Sequence, residues 1–302
     1  MRPAVGGASL WWDAAVAGRE GETGGRRTEA PRATAPASAR SLLLTLLGEF
    51  VLPTDAPVWT AALVGGLAEL GVEEKAARQA LSRTSTEGLL VAERDGRRVR
   101  WRLTPAGTRL LREGTARIYG FGRGVRSWDG RWLVLTISVP EAQRQVRHRL
   151  RTRLTWAGLG SPLPGVWLTP DVRKQPEVAA IVTDLGVQAH SFVGPYGEIG
   201  EQQQVVDAAW ELQEVDARYA DFLSAFTDGA AASPAQAFRN QVQLVQQWRH
   251  FPFLDPDLPA PLLPPTWPGP EAARLFHTRR EGWHRDAQAF WRLLGERADT
   301  RT

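Results

Sequence analysis

The stretch from Leu70 to Leu103 constrains this chain most, because it specifies a helix and a hairpin whose polar faces are both basic. Gly71 follows the apolar run Ala61–Leu70 and can end it in the left-handed region that only glycine enters freely. Glu73 and Glu74 then set negative charge at the positive end of a new helix. Through Glu74–Arg83 the small apolar residues Ala77, Ala80 and Leu81 share one face. Lys75, Arg78, Gln79, Ser82 and Arg83 share the other, at i, i+3, i+4 spacing. A strand starts at Gly88-Leu89-Leu90-Val91, and Asp95-Gly96 is a two-residue hairpin signal. On the returning strand Val99, Trp101 and Leu103 alternate with Arg98, Arg100 and Arg102. A solvated helix and a charged surface hairpin would each explain one element alone. Together, after a short leading helix, they predict a winged helix-turn-helix that binds double-stranded DNA. In that reading Arg78, Gln79, Ser82 and Arg83, with Lys75 beside them, read or flank base edges. Arg97, Arg98, Arg100 and Arg102 take phosphate or minor-groove contacts.

Charge sharpens the reading. The whole chain carries a formal +4, yet from Gly88 to Ser127 ten arginines face three acids, a net +7. Positive charge is therefore concentrated at the wing and just beyond it, as phosphate neutralisation requires. The chain has no cysteine, which removes disulfides, thiolate metal sites and cysteine nucleophiles, and which suits a reducing, cytoplasmic location. No apolar run is long enough to span a bilayer, so no membrane partner is expected.

At 302 residues several domains are expected. Residues 1–39, rich in Gly, Ala, Pro and Arg, read as a disordered arm or in part as an upstream start-codon extension. Residues 40–119 form the DNA-binding domain. Its first helix, Leu42–Leu47, is capped by Ser41 and ends near Phe50 before Pro53; a second helix runs from about Thr60 to Leu70. After the wing, Thr104-Pro105 opens a further helix carrying Leu110, Leu111 and Ile118 on its inner side. Residues 120–127 are a glycine-rich basic linker. Over 128–197 a strand at Trp132–Val139, a basic helix at Glu141–Trp156, a strand at Gly165–Leu168, a helix at Glu177–Leu185 and a strand at Val187–Val193 predict a ferredoxin-like sandwich. Phe192–Gly197 reads as a turn between domains. Residues 198–296 form a helical C-terminal domain, in which a proline-dense loop rich in large apolar residues must pack onto something. The fold class is thus α+β and multidomain.

Catalytic signatures are missing. A divalent-metal nuclease needs clustered carboxylates, and Leu133–Pro140 contains none, while Asp129 lies before the strand. His277 and His284 stand seven apart with Glu281 between them, without the tight spacing of a helical zinc motif. There is no glycine-rich phosphate loop and no nucleophile elbow. No catalytic residue, metal or cofactor is expected. Trp248, Arg249 and His250 combine an aromatic face with positive groups and could hold an acyl-coenzyme A.

The C-terminal string Trp248-Arg249 through Asp255-Pro256, Leu258-Pro259, Leu262-Leu263-Pro264, Trp267-Pro268-Gly269 and Leu275-Phe276 resembles the PaaX family of bacterial repressors. Ala77–Arg83 and the span from Trp128-Asp129-Gly130 to Val139-Pro140-Glu141 look like that family's recognition helix and central strand. The resemblance covers roughly everything after Arg40. It implies a winged helix-turn-helix, a central domain of the CRISPR-adaptation nuclease type and a helical C-terminal domain. It also implies a homodimeric repressor of phenylacetate catabolism, released from operator DNA by an acyl-CoA such as phenylacetyl-CoA. Two alternatives stand beside it: a DNA-binding regulator controlled by a protein partner, and a metal-dependent nuclease.

Overall fold

The computed structural model describes residues 37–124 and 127–300; the expected N-terminal arm lies, apart from its last three residues, outside the described residues. The chain is mixed α/β, with two small sheets and many helices, and it divides into two compact units. Among the described residues, one takes in 37–120, Phe222–Arg249 and 274–300; the other takes in 121–124, 127–221 and His250–Ala273.

In the first unit, α1 (Ala39–Leu46) buries Leu42, Leu43, Leu44 and Leu46 and continues into a π-helical turn, Leu47–Val51, before Pro53. Its N-cap is Ser38, whose side chain accepts from the Ser41 amide; Ser41 itself is buried one turn inside, so the expected cap lies three residues too late. Next come β1 (Val58–Trp59), α2 (Thr60–Ala68), α3 (Glu74–Thr86), β2 (Leu90–Asp95), β3 (Arg98–Leu103) and α4 (Pro105–Gly120). Gly71 and Gly88 hold the left-handed conformation after α2 and α3, at φ +80° and +74°, where a side chain would be strained. β2 and β3 pair antiparallel around Gly96, and β1 joins the outer side of β3, giving the order β1-β3-β2. Thr104 caps α4 by accepting from the Gly107 amide. Gly107 is required there, because a Cβ would lie 2.2 Å from the Leu89 carbonyl oxygen.

The helix Pro234–Trp248 and the long C-terminal helix complete this core. Phe50 packs on Phe238 and Trp291 at centroid distances of 5.0 and 5.4 Å. Truncating such a fully buried aromatic typically costs about 3–5 kcal/mol. Glu49, also buried, accepts from Gln241 Nε2 at 2.7 Å and from Arg280 Nε at 3.1 Å, so its charge is compensated.

The second unit carries β4 (Arg131–Ile137), α5 (Arg144–Trp156), β5 (Gly160–Leu163), β6 (Val166–Thr169), α6 (Gln175–Leu185) and β7 (Ala189–Pro195). The order β5-β6-β4-β7 is antiparallel throughout. β4 buries Leu133, Leu135 and Ile137 against α5 and α6, and on the opposite face it buries Trp132 and half-buries Val134. Both faces are covered, which is why β4 reads as nearly continuous apolar sequence. β5 is absent from the sequence reading because Gly160 and Pro162 disfavour strands. Gly160 serves close packing: a Cβ there would meet Trp210 at 2.5 Å. Phe192–Pro195 is not an interdomain turn but the second half of β7, paired with Arg131–Val134.

The helical remainder is α7 (Gln202–Ala209), α8 (Leu212–Phe226), α9 (Pro234–Trp248), α10 (Phe251–Leu254) and α11 (Gly269–Thr300). Ser233 caps α9, as its sequence suggests. The proline-dense loop packs through Leu258 and Leu262 onto Trp132 and Leu168 within the second unit.

Candidate nucleic-acid interface

The amphipathic design of α3 survives intact. Ala77, Ala80, Leu81 and Thr84 are buried, and Thr84 spends its hydroxyl on the Ala80 carbonyl at 2.8 Å. Lys75, Arg78, Gln79, Ser82 and Arg83 are all exposed. Four of these, Lys75, Arg78, Gln79 and Ser82, line one open concave surface together with Glu74. Glu74 accepts from Arg78 Nε at 2.8 Å, one turn apart, which orients the guanidinium and leaves its two terminal amino groups outside that bond. A rigid helix thus presents a fork of donors and an amide side by side, the chemistry suited to base edges.

The hairpin is less open than its sequence suggests. Strand register puts Arg98, Arg100 and Arg102 on one face, opposite Val99, Trp101 and Leu103, as the alternation requires. The same register brings Asp95 and Glu93 of β2 onto the arginine face. Arg100 pairs diagonally with Asp95 at 3.4 Å, and Arg102 Nε donates to Glu93 at 2.8 Å. That bond holds the Glu93 carboxyl below its usual range and raises Arg102. Arg98 lies 3.7 Å above the Trp59 ring and donates to the carbonyls of Ala298 and Asp299 at the end of α11. Trp59 Nε1 donates to Asp299 at 3.0 Å. Arg97, in the turn beside Gly96, is exposed, and so is Arg94, which the sequence reading passed over. Its signal was present: an arginine next to the Asp95-Gly96 turn stands at the tip whichever face the strand buries.

Trp248 and Arg249 lie in the core of the first unit, and His250 belongs to the second. Trp248 stacks on Phe276 at 4.7 Å and donates its indole N–H to the Ile118 carbonyl at 3.0 Å. Arg249 has its Nη1 within 3.4–3.5 Å of Ser41 O, Thr45 Oγ1 and Gln246 Oε1; burial first, and Arg40 second, push its pKa down to about 10. Among the described residues no group of three or more His, Cys, Asp or Glu could hold a metal ion, and no helix is long and apolar enough to cross a membrane.

Comparison with known proteins matches three successive segments. Residues 38–107 match the model of the PaaX-like protein, residues 125–206 that of the PaaX protein central Cas2-like domain, and residues 210–293 that of the PaaX-like protein C-terminal domain. The transcriptional repressor PaaX of Escherichia coli strain K12 is 29% identical over 254 residues, 80% of this chain and 78% of its own. An uncharacterised protein from Mycobacterium tuberculosis shares the fold, with a TM-score of 0.59, 23% identity and coverage of 84% of this chain and 99% of its own.

Proposed function

The chain belongs to the PaaX family, and from that premise we propose that it is a sequence-specific DNA-binding transcriptional repressor. It is a regulator rather than an enzyme. Residues 40–119 act as a winged helix-turn-helix with α3 as the recognition helix and β2–β3 as the wing. Residues 128–197 act as a ferredoxin-like middle domain and residues 198–296 as a helical C-terminal domain. Two copies occupy a two-fold operator, since a symmetric half-site arrangement suits a symmetric dimer. An acyl-CoA such as phenylacetyl-CoA lowers operator affinity by preferring the state that binds DNA poorly.

The observation that carries this reading is the exposed row Lys75, Arg78, Gln79, Ser82 and Arg83 on a helix whose other face is buried. The test is a retention assay on the DNA upstream of the protein's own coding region, against random DNA of equal length. Preferential retention, relieved by phenylacetyl-CoA and not by acetyl-CoA or free coenzyme A, is the expected result. Equal retention of both DNAs would remove the repressor reading. Preferential retention untouched by every thioester would transfer control to another ligand or to a protein partner.

A further inference from the structure

The second unit contains a groove of about 390 Å³ lined by the turn before β4, the loop after β6 and the Pro256–Pro259 segment. Two short motifs of the same form face it. Asp129-Gly130-Arg131 and Asp171-Val172-Arg173 are both Asp-x-Arg, and each folds so that the aspartate grips its own arginine. Asp129 Oδ2 accepts from Arg131 Nε at 2.7 Å and lies 2.7 Å from Nη2. Asp171 accepts from Arg173 Nε at 2.8 Å and from Nη2 at 3.0 Å. Each carboxylate also accepts the backbone amide of its arginine, at 3.1 Å in both cases, which fixes the turn. Both clamps occupy the Nε–Nη2 edge and leave Nη1 outside.

Lys174 lines the same groove, and its Nζ lies 2.5 Å from where a Cβ on Gly158 would be. The left-handed Gly158, at φ +80°, therefore makes room for an ammonium. Trp128 supplies an aromatic wall and packs edge-on against Trp132 at 5.5 Å. A recognition fold for operator DNA explains none of these features.

We propose that this groove binds a phosphate ester bearing a flat aromatic base, with Arg131, Arg173 and Lys174 on phosphate and Trp128 against the ring. Resting on the effector reading above, it would take the adenosine phosphate end of a coenzyme A thioester; its volume suits one end of such a molecule, the rest lying outside. The three acids of the lining, Asp129, Asp171 and Asp257, equal the cations in number, so bulk attraction is not the basis of binding. Geometry is: a guanidinium held on one edge loses less freedom when its other edge meets phosphate.

The clamp gives its carboxylates an unusual sign of effect. Removing a clamping carboxylate takes away negative charge, which simple electrostatics says should strengthen anion binding; pre-orientation says it weakens it. Adenosine 3′,5′-bisphosphate, coenzyme A and phenylacetyl-CoA are titrated calorimetrically into the full chain, and the melting temperature of each variant reports its folding. Arg131→Gln with Arg173→Gln should weaken all three by about 10- to 100-fold. Asp129→Asn should weaken them severalfold, and Asp171→Asn repeats the test at the second clamp. Undiminished binding in the double arginine variant overturns the groove while leaving the effector reading standing. Tighter binding in both aspartate variants overturns the clamp and with it the proposal. Bisphosphate binding that depends on both arginines, with no thioester altering operator affinity, keeps the groove and sinks the effector reading. No binding of any probe by the wild type ends both.

Discussion

The charge pairs across the hairpin should be visible in the salt dependence of operator binding. Lys75, Arg83, Arg94 and Arg97 stand exposed, whereas Arg100 and Arg102 already hold Asp95 and Glu93. Each phosphate neutralised contributes about −0.9 to the slope of log K against log salt, so four such contacts give about −3.6 per protomer. Arg97→Gln should flatten that slope by about 0.9. Between 50 and 200 mM salt this is a change of about 3.5-fold in the affinity lost, well within reach of fluorescence anisotropy. Arg102→Gln alone is ambiguous, because it unmasks Glu93 and changes net charge by the same unit. The informative variant is Glu93→Gln with Arg102→Gln, which deletes the pair at constant charge and should leave the slope unchanged. Glu93→Gln alone frees Arg102 and should steepen it. A double variant that flattens the slope by as much as Arg97→Gln would mean that Arg102 abandons Glu93 for DNA, and the reasoning would be wrong.

Arg78→Ala should cost about 1–3 kcal/mol on the operator and little on random DNA, measured by competition; equal losses would deny α3 a base-reading role. Gly107→Ala forces a Cβ onto the Leu89 carbonyl oxygen and should destabilise by about 1–3 kcal/mol, a fall of several degrees in melting temperature. A fall below one degree would contradict the close approach. Asp255 is buried beside Tyr219, whose hydroxyl donates to it at 2.7 Å, and burial pushes its pKa up to about 6. A raised carboxyl favours folding while protonated, so that contribution is intact below about pH 4 and is lost as pH rises through about 6. Its full size is on the order of 3 kcal/mol. Asp255→Asn should remove that decline from a denaturant series across pH 4–7, and an unchanged pH profile would show that the carboxyl titrates normally.

Sequence periodicity located α3 and the hairpin because each buries only one face, so the pattern survives in single residues such as Ala77, Ala80 and Leu81. It failed where pattern and role separate. β1 is two residues long, too short for any period, and exists only because β3 offers it an edge. β5 contains glycine and proline, the residues that usually end strands. The cap of α1 was misplaced because Ser38 and Ser41 are equally good capping residues, and the apolar run begins after the second. What decides between them is that Ser41 is buried, which is a tertiary fact. The start of β7 was legible and its end was not, since Gly194-Pro195 reads as a turn until Trp132 and Arg131 are seen opposite it.

The candidate interface shows the same limit in electrostatic form. A count of charge over Gly88–Ser127 finds a net +7 and cannot say which arginines are available. Strand pairing decides that, because Glu93 and Asp95 lie on one strand and their partners on the other, in a register that is invisible until the hairpin closes. Arg98 is more remote still, held by Trp59 and the last turn of α11, some 200 residues away in sequence. The alternation Arg98-Val99-Arg100-Trp101-Arg102 therefore has two physical causes. The apolar set fills the sheet's inner face, and the arginines tie the wing together. Arg97 stands in the turn itself, and Arg94 faces Val99 across the hairpin rather than an acid, so the exposed charge sits toward the tip. If phosphate contact is what the wing contributes, the tip must carry it, and the arginine-rich strand behind sets the angle at which the tip is held.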